Sequence, residues 1–241
     1  MEIKYQKNFN KKNCKIILPY LKDKPLPIKS LQTWLQEREK AKDFTGDKGE
    51  IIHNYEGNKT YFLIGLGNSK ELNAIKIRSN FALAIKNISS YKFNEYSVFI
   101  PEQLKPFLQE IGEGIILGNY SLSLFQTGIN KKKAQEKIIK KIVIVGSTIF
   151  PEDKKAFEKG VKIGEAVNYV RDLINSPHNM VDAKYLVEEG KKIAKKCVAC
   201  HKRDDKHKGK YGKKCQNCHS ESGWSSQKFN HDKDTEYPLK G

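Results

Sequence analysis

The sequence predicts an α/β layered domain followed by a small, irregular module that aliphatic burial alone cannot hold together. Three observations lead there. Short apolar runs alternate with helix-period segments over the first 190 or so residues, which is how strands and helices in layers are written. Four of the five cysteines, Cys197, Cys200, Cys215 and Cys218, crowd into the last 45 residues. After Cys197 the chain holds one valine, one leucine and no isoleucine, too little for a core without metal, disulfide or cofactor.

The first part reads in order as follows. Cys14 to Leu21 is a short apolar strand ending at a proline, and Tyr61 to Leu66 is a buried strand closed by Gly67. Ser69 then offers an N-cap for a helix that places Leu72, Ile75, Ala82, Ile85 and Ile88 near one face. Ser97 to Ile100 is a strand stopped by Pro101, and Ile142 to Val145 is the most buried-looking strand. From Pro151 a long helix stacks Phe157, Val161, Gly164, Val167, Val170 and Ile174 at spacings of three and four. A charged helix resumes near Asp182 and runs to about Lys196.

Composition removes several classes. Of 241 residues, 38% are hydrophobic and 30% charged, and the net charge is +17. Only four of the 45 basic residues are arginines, so a lysine excess spread along the chain does not argue for nucleic acid. No apolar run approaches the roughly 18 residues of a membrane span. Lysines break up the stretch from Met1 to Tyr20, which leaves no secretory h-region and leads us to expect a cytoplasmic protein.

The first 196 residues resemble the amino-terminal part of the leucyl aminopeptidase family, the cytosolic two-metal exopeptidases. The resemblance rests on D-F-T-G-D-K-G-E at Asp43 to Glu50, Y-F-L-I-G-L-G at Tyr61 to Gly67, and the stretch from Gly114 to Thr127. Its strongest piece is V-R-D-L-I-N-S-P-H-N-M-V at Val170 to Val181, like the family's join between two domains. The resemblance implies a macrodomain-like layered domain over residues 1–176, serving assembly and substrate access, and a helical connector over 177–196. It also implies a homo-oligomer or an aminopeptidase-like partner. A two-metal site needs several carboxylates about 3.5–4 Å around its metals, and the family's N-T-D-A-E-G-R-type segment does not occur in this sequence. No peptidase activity is therefore expected of this chain alone. Arg171, Asp172 and Asn175 match the joining motif, with a helix end and turn before Pro177 as the simpler reading. His53 and His178 are isolated, and Gly65 and Gly67 read as a strand-ending turn rather than a phosphate loop.

Residues 197–241 carry C-V-A-C-H at Cys197 to His201 and C-Q-N-C-H at Cys215 to His219. Two cysteines three apart can each form a thioether to a haem vinyl group while the next histidine reaches the iron. With Trp224 and F-N-H at Phe229 to His231, the segment resembles a class III-like multihaem cytochrome c. On that reading it carries two haem c groups. Cys197, Cys200, Cys215 and Cys218 attach them, His201 and His219 are proximal ligands, and His207 and His231 are distal ligands. Two imidazoles per iron imply electron transfer to a redox partner, which the tail's lysines suggest is acidic. The alternative is a zinc site closed by the same four thiolates, since 14 residues separate Cys200 from Cys215. The halves conflict over compartment, because bacterial haem c is attached outside the cytoplasmic membrane, in the periplasm or beyond. The function expected first is thus a c-type electron-transfer module fused to a non-catalytic aminopeptidase-like domain. The second is a truncated aminopeptidase subunit acting in assembly, with a zinc-binding tail.

Overall fold

The computed structural model describes residues 1–9, 15–122, 126–146, 149–194, 210, 219–220 and 223–227. It divides into two compact units, Met1–Ser176 and Pro177–Gly241.

The first unit is built on a six-stranded mixed sheet. Its strands are β1 (Glu2–Gln6), β2 (Lys15–Tyr20), β3 (Ile51–Glu56), β4 (Lys59–Gly65), β5 (Glu95–Phe99) and β6 (Lys141–Val145). They lie in the order β1-β6-β5-β2-β4-β3, with every pairing parallel except the β3–β4 hairpin. The interior strands read as continuous apolar runs because both faces of the sheet are covered. On one face Ile17, Phe62, Ile64, Tyr96, Val98, Ile142 and Ile144 meet helices α2 (Ala74–Ile88), α3 (Leu108–Gly118) and α5 (Pro151–Asn175). On the other, Ile16, Leu18, Tyr61 and Leu63 pack with Leu31 and Leu35 of α1 (Leu31–Lys40) and with Phe44. Helix α4 (Gly128–Glu136) buries no residue.

Several elements differ from the sequence reading. β2 does not stop at its proline: Pro19 lies inside the strand opposite Ile64. The missing N–H is tolerated because β5 pairs with β2 only at Ile16 and Ile17, leaving that side of Pro19 without a ladder. Ser69 caps no long helix. It begins a single 3₁₀ turn, Ser69–Glu71, after which Leu72 is extended, and α2 starts at Ala74 with the Asn73 side chain accepting from the Lys76 N–H at 2.9 Å. The buried face is Ile77, Phe81, Ala84, Ile85 and Ile88, and Ile75 lies across the helix from it, in solvent at 67% exposure. α5 does begin at Pro151, whose absent N–H costs nothing at a helix start. Its Asp153 carboxylate accepts the Phe150 N–H at 2.9 Å. Only its first half is core, however: Phe157, Gly160, Val161 and Gly164 are buried, whereas Val167, Val170 and Ile174 are exposed.

Helices α3 and α5 approach closely because glycines face each other across them. A Cβ on Gly160 would sit 1.8 Å from the Gln109 carbonyl oxygen, and one on Gly112 would sit 2.5 Å from that of Phe157. Gly114 and Gly118 of α3 do the same against Arg78 and Ala82 of α2, at 2.5 and 2.3 Å.

In the second unit the described elements are helix α6 (Ala183–Ala194) and a two-stranded antiparallel ribbon, β7 (His219–Ser220) with β8 (Gly223–Gln227). The Asp182 carboxylate caps α6 by accepting the Tyr185 N–H at 2.7 Å.

Candidate functional site

Of the residues expected to hold haem or zinc, Cys197, Cys200, His201, His207, Cys215, Cys218 and His231 lie outside the described residues, as does Cys14. The backbone of His219 falls in β7. The expectations that concern their ligation therefore stay with the sequence.

The D-F-T-G-D-K-G-E loop and the strand-ending glycines come together at the carboxyl ends of β2 and β4. A Cβ on Gly65 would meet the Asp47 carbonyl oxygen at 2.2 Å, so the loop can cross the end of β4 only over glycine. Gly67 has φ +75°, a conformation that glycine adopts at little cost. The pair thus forms a strand-ending turn, as read from the sequence. The acids of this rim are all engaged. Asp47 accepts from Lys22 Nζ at 2.7 Å and from the Thr45 hydroxyl at 2.6 Å, which together hold its carboxyl below the usual range. Asp23 is lowered in the same way by the Ser69 hydroxyl and the Ser69 N–H. Glu50 accepts the backbone N–H groups of Thr45 and Asp47. A carboxylate already satisfied in this manner is a loop fastener and a poor general base.

The joining motif, with a helix end as its simpler sequence reading, forms a second cluster. Tyr120, 52 residues from Asp172 along the chain, donates its hydroxyl to Asp172 at 2.9 Å and receives the Asn175 side-chain N–H at 3.4 Å. Arg171 stacks over the Tyr120 ring at 5.4 Å and reaches the Asn168 oxygen, and Asn168 in turn donates to the Ile116 carbonyl. These bonds pin the last turns of α5 to the end of α3. Burial pushes the Tyr120 hydroxyl up, an effect that the Asn175 donor opposes and Asp172 adds to. The cluster offers neither a nucleophile nor a metal cage. Its tyrosine had no signal in the sequence beyond lying in the Gly114 to Thr127 stretch.

Among the described residues, no group of three or more His, Cys, Asp or Glu is placed to hold a metal ion. A cavity of about 10 Å³ is lined by residues that include Tyr5, Ile144, Asp153 and Phe157, at the threshold for one water. His178 lies in the exposed turn after α5. His53 lies on β3, its Nδ1 3.0 Å from the Tyr91 hydroxyl.

Three tyrosines besides Tyr120 give the unit an alkaline response. Burial, with Glu158 nearby, pushes Tyr5 up to about 12. Burial also raises Tyr20, whose hydroxyl donates to Glu39 at 2.7 Å, and it raises Tyr96. Each phenol is neutral in both folded and unfolded chains below its unfolded value of about 10. Stability is therefore complete below that pH and is lost as pH rises toward the folded values. The melting midpoint should fall steadily from about pH 10 to 12, and Tyr5→Phe should soften the fall, since one raised phenol then no longer titrates. An unchanged midpoint across that range would refute this.

Fold and site together define a layered α/β domain whose rim acids fasten its loops. Residues 22–128 match the model of the cytosol aminopeptidase family, N-terminal domain. The probable cytosol aminopeptidase of Aquifex aeolicus (strain VF5) is 30% identical over 175 residues, covering 68% of this chain and 33% of that protein. That of Clostridium perfringens (strain 13 / Type A) is 27% identical over 196 residues, covering 75% and 38%. A tomato leucine aminopeptidase structure superposes with a TM-score of 0.64 at 20% identity, over 80% of this chain and 42% of that one. The bottromycin maturation enzyme BotP gives 0.58 at 15% identity, over 75% and 36%. At such identities the two structures speak to the fold. The first unit carries the N-terminal domain of the cytosol aminopeptidase family. The chain spans about a third of the length of the curated relatives it matches. These findings fit the aminopeptidase alternative better than the electron-transfer reading, for which they offer no support.

Proposed function

We propose that the first unit is the non-hydrolytic part of a cytosol aminopeptidase-type assembly, holding subunits together and shaping access rather than cleaving peptides. The observation that carries this is α5. Its second half contributes nothing to the core of its own unit, yet it presents Val167, Val170 and Ile174 at 37%, 50% and 76% exposure, and the Tyr120 cluster holds it rigid. A fixed apolar strip of this kind suits burial against further aminopeptidase-type protein. The test is to purify the full chain alone and together with a full-length cytosol aminopeptidase. Alone, it should release no leucine from a chromogenic substrate with manganese or zinc added; mixed, it should co-purify with the enzyme, and Ile174→Asp should abolish that. Hydrolysis that tracks with the chain alone would overturn the reading.

For the tail we propose zinc held by the thiolates of Cys197, Cys200, Cys215 and Cys218, in a cytoplasmic protein, ahead of two haem c groups and a redox partner. The relatives are named as cytosol aminopeptidases, and thioether attachment of haem belongs to compartments outside the cytoplasm. Four thiolates around zinc also supply the folding energy that an aliphatic-poor segment lacks. Native and denatured mass separate the two cofactors: zinc is lost on denaturation, whereas covalent haem is retained.

A further inference from the structure

The sheet ends in two edges of unlike character. Along β1 stand Glu2 and Lys4, paired at 3.1 Å, the kind of charged lining that keeps an edge from recruiting another strand. β3 carries no charge from Ile51 to Tyr55, and among the described residues it pairs with β4 alone.

The hydrogen-bond phase of β3 follows from its turn. Glu56 and Lys59 close a two-residue loop, Gly57 having φ +56°, and the pair that closes such a loop is hydrogen-bonded. The Gly65 N–H bonds the Glu50 carbonyl at 2.9 Å, in the same phase. Residues 50, 52, 54 and 56 therefore turn their backbone groups toward β4, while Ile51, His53 and Tyr55 turn theirs to the open edge. The side chains of those same residues share one face. Tyr55 is 61% exposed and its ring lies 5.2 Å from that of His53, which in turn lies 5.3 Å from Tyr91.

We propose that β3 is a self-association edge, at which a second copy of this chain adds its own β3 antiparallel about a two-fold axis at His53. Three features favour a second copy as the occupant. The outward residues are symmetric about His53, so the axis sets Ile51 opposite the partner's Tyr55 twice, an aromatic–β-branched pair of the kind that stabilises sheets. Every outward N–H and C=O then meets one of opposite kind, and the two aromatic patches become continuous. Charge is the third. In a chain of net +17, residues 43–56 hold four acids and one lysine, and Arg38 and Lys22 neutralise Asp43 and Asp47. A nearly neutral edge is where two strongly cationic copies repel least. This inference is independent of the aminopeptidase reading.

Sedimentation of the full chain tests it, with His53→Lys and His53→Pro beside the parent. The first puts two like charges across the axis. The second deletes an outward N–H that β4 does not use, which edge strands accept. The parent should be dimeric at about 0.1 mM, and each variant should self-associate about tenfold more weakly or worse with its thermal unfolding retained. A monomeric parent, or a folded variant that dimerises as the parent does, overturns the proposal.

Discussion

Gly160→Ala is expected to leave the first unit largely unfolded. The new methyl would lie 1.8 Å from the Gln109 carbonyl oxygen, with the Gln109 carbonyl carbon at 2.7 Å and the Glu113 nitrogen at 2.9 Å. All three are backbone atoms of α3, which cannot swing aside as a side chain can. The helices must separate, and separation opens the core cluster that holds Phe157 and Val161 together with Ile111 and Ile115. Overpacking alone costs about 1–3 kcal/mol, and the loss of those contacts adds to it. The unit unfolds if the two together reach the lower end of the about 5–15 kcal/mol that holds a domain folded. Loss of the cooperative melt by circular dichroism is the readout; a melt within a few degrees of the parent would show that the interhelical glycines are not required.

Phe81→Ala should come next in size. Phe81 is 1% exposed on α2, and its Cβ lies where a Cβ on Gly114 of α3 would come within 2.9 Å. The backbones around it are already at closest approach, so they cannot collapse into the space left. Truncation of a phenylalanine that the surroundings cannot refill costs about 3–5 kcal/mol. Denaturant unfolding monitored by fluorescence measures it, with a lower midpoint at unchanged slope as the expected pattern. A loss under about 1 kcal/mol would mean that α2 repacks.

How much of this could be read from the chain depends on which forces write a periodic signal. Buried strands such as Tyr61 to Leu66 and Ile142 to Val145 were legible because both faces are covered, and an unbroken apolar run follows. The edge strands β1 and β3 were not: each buries little, and alternation over five or six residues is weak evidence. The start of α2 was misplaced because Ser69 and Asn73 are equally good caps in isolation. The Ser69 hydroxyl is instead drawn to Asp23, 46 residues away, a tertiary choice with no local trace. The exposed half of α5 kept its apolar spacing, so periodicity alone could not tell core from outward strip. In the join, Asp172 and Asn175 were found by motif, whereas Tyr120 was not, since a single tyrosine has no period to betray it.

The pairing of β1 with β6 sets the order in which a growing chain can complete its sheet. Glu2 lies opposite Lys141, so β1 has no partner until some 140 residues have followed it. The other parallel strands, β2, β4 and β5, can associate well before that point. Closing so long a loop costs about 4 kcal/mol of chain entropy, recovered only when β6 is docked on β5 and offers its free side. The β1 segment therefore waits, apolar on alternate residues and unpaired, until β6 has been made. Whatever shields nascent chains has this segment to cover until β6 emerges, longer than for any other strand of the sheet.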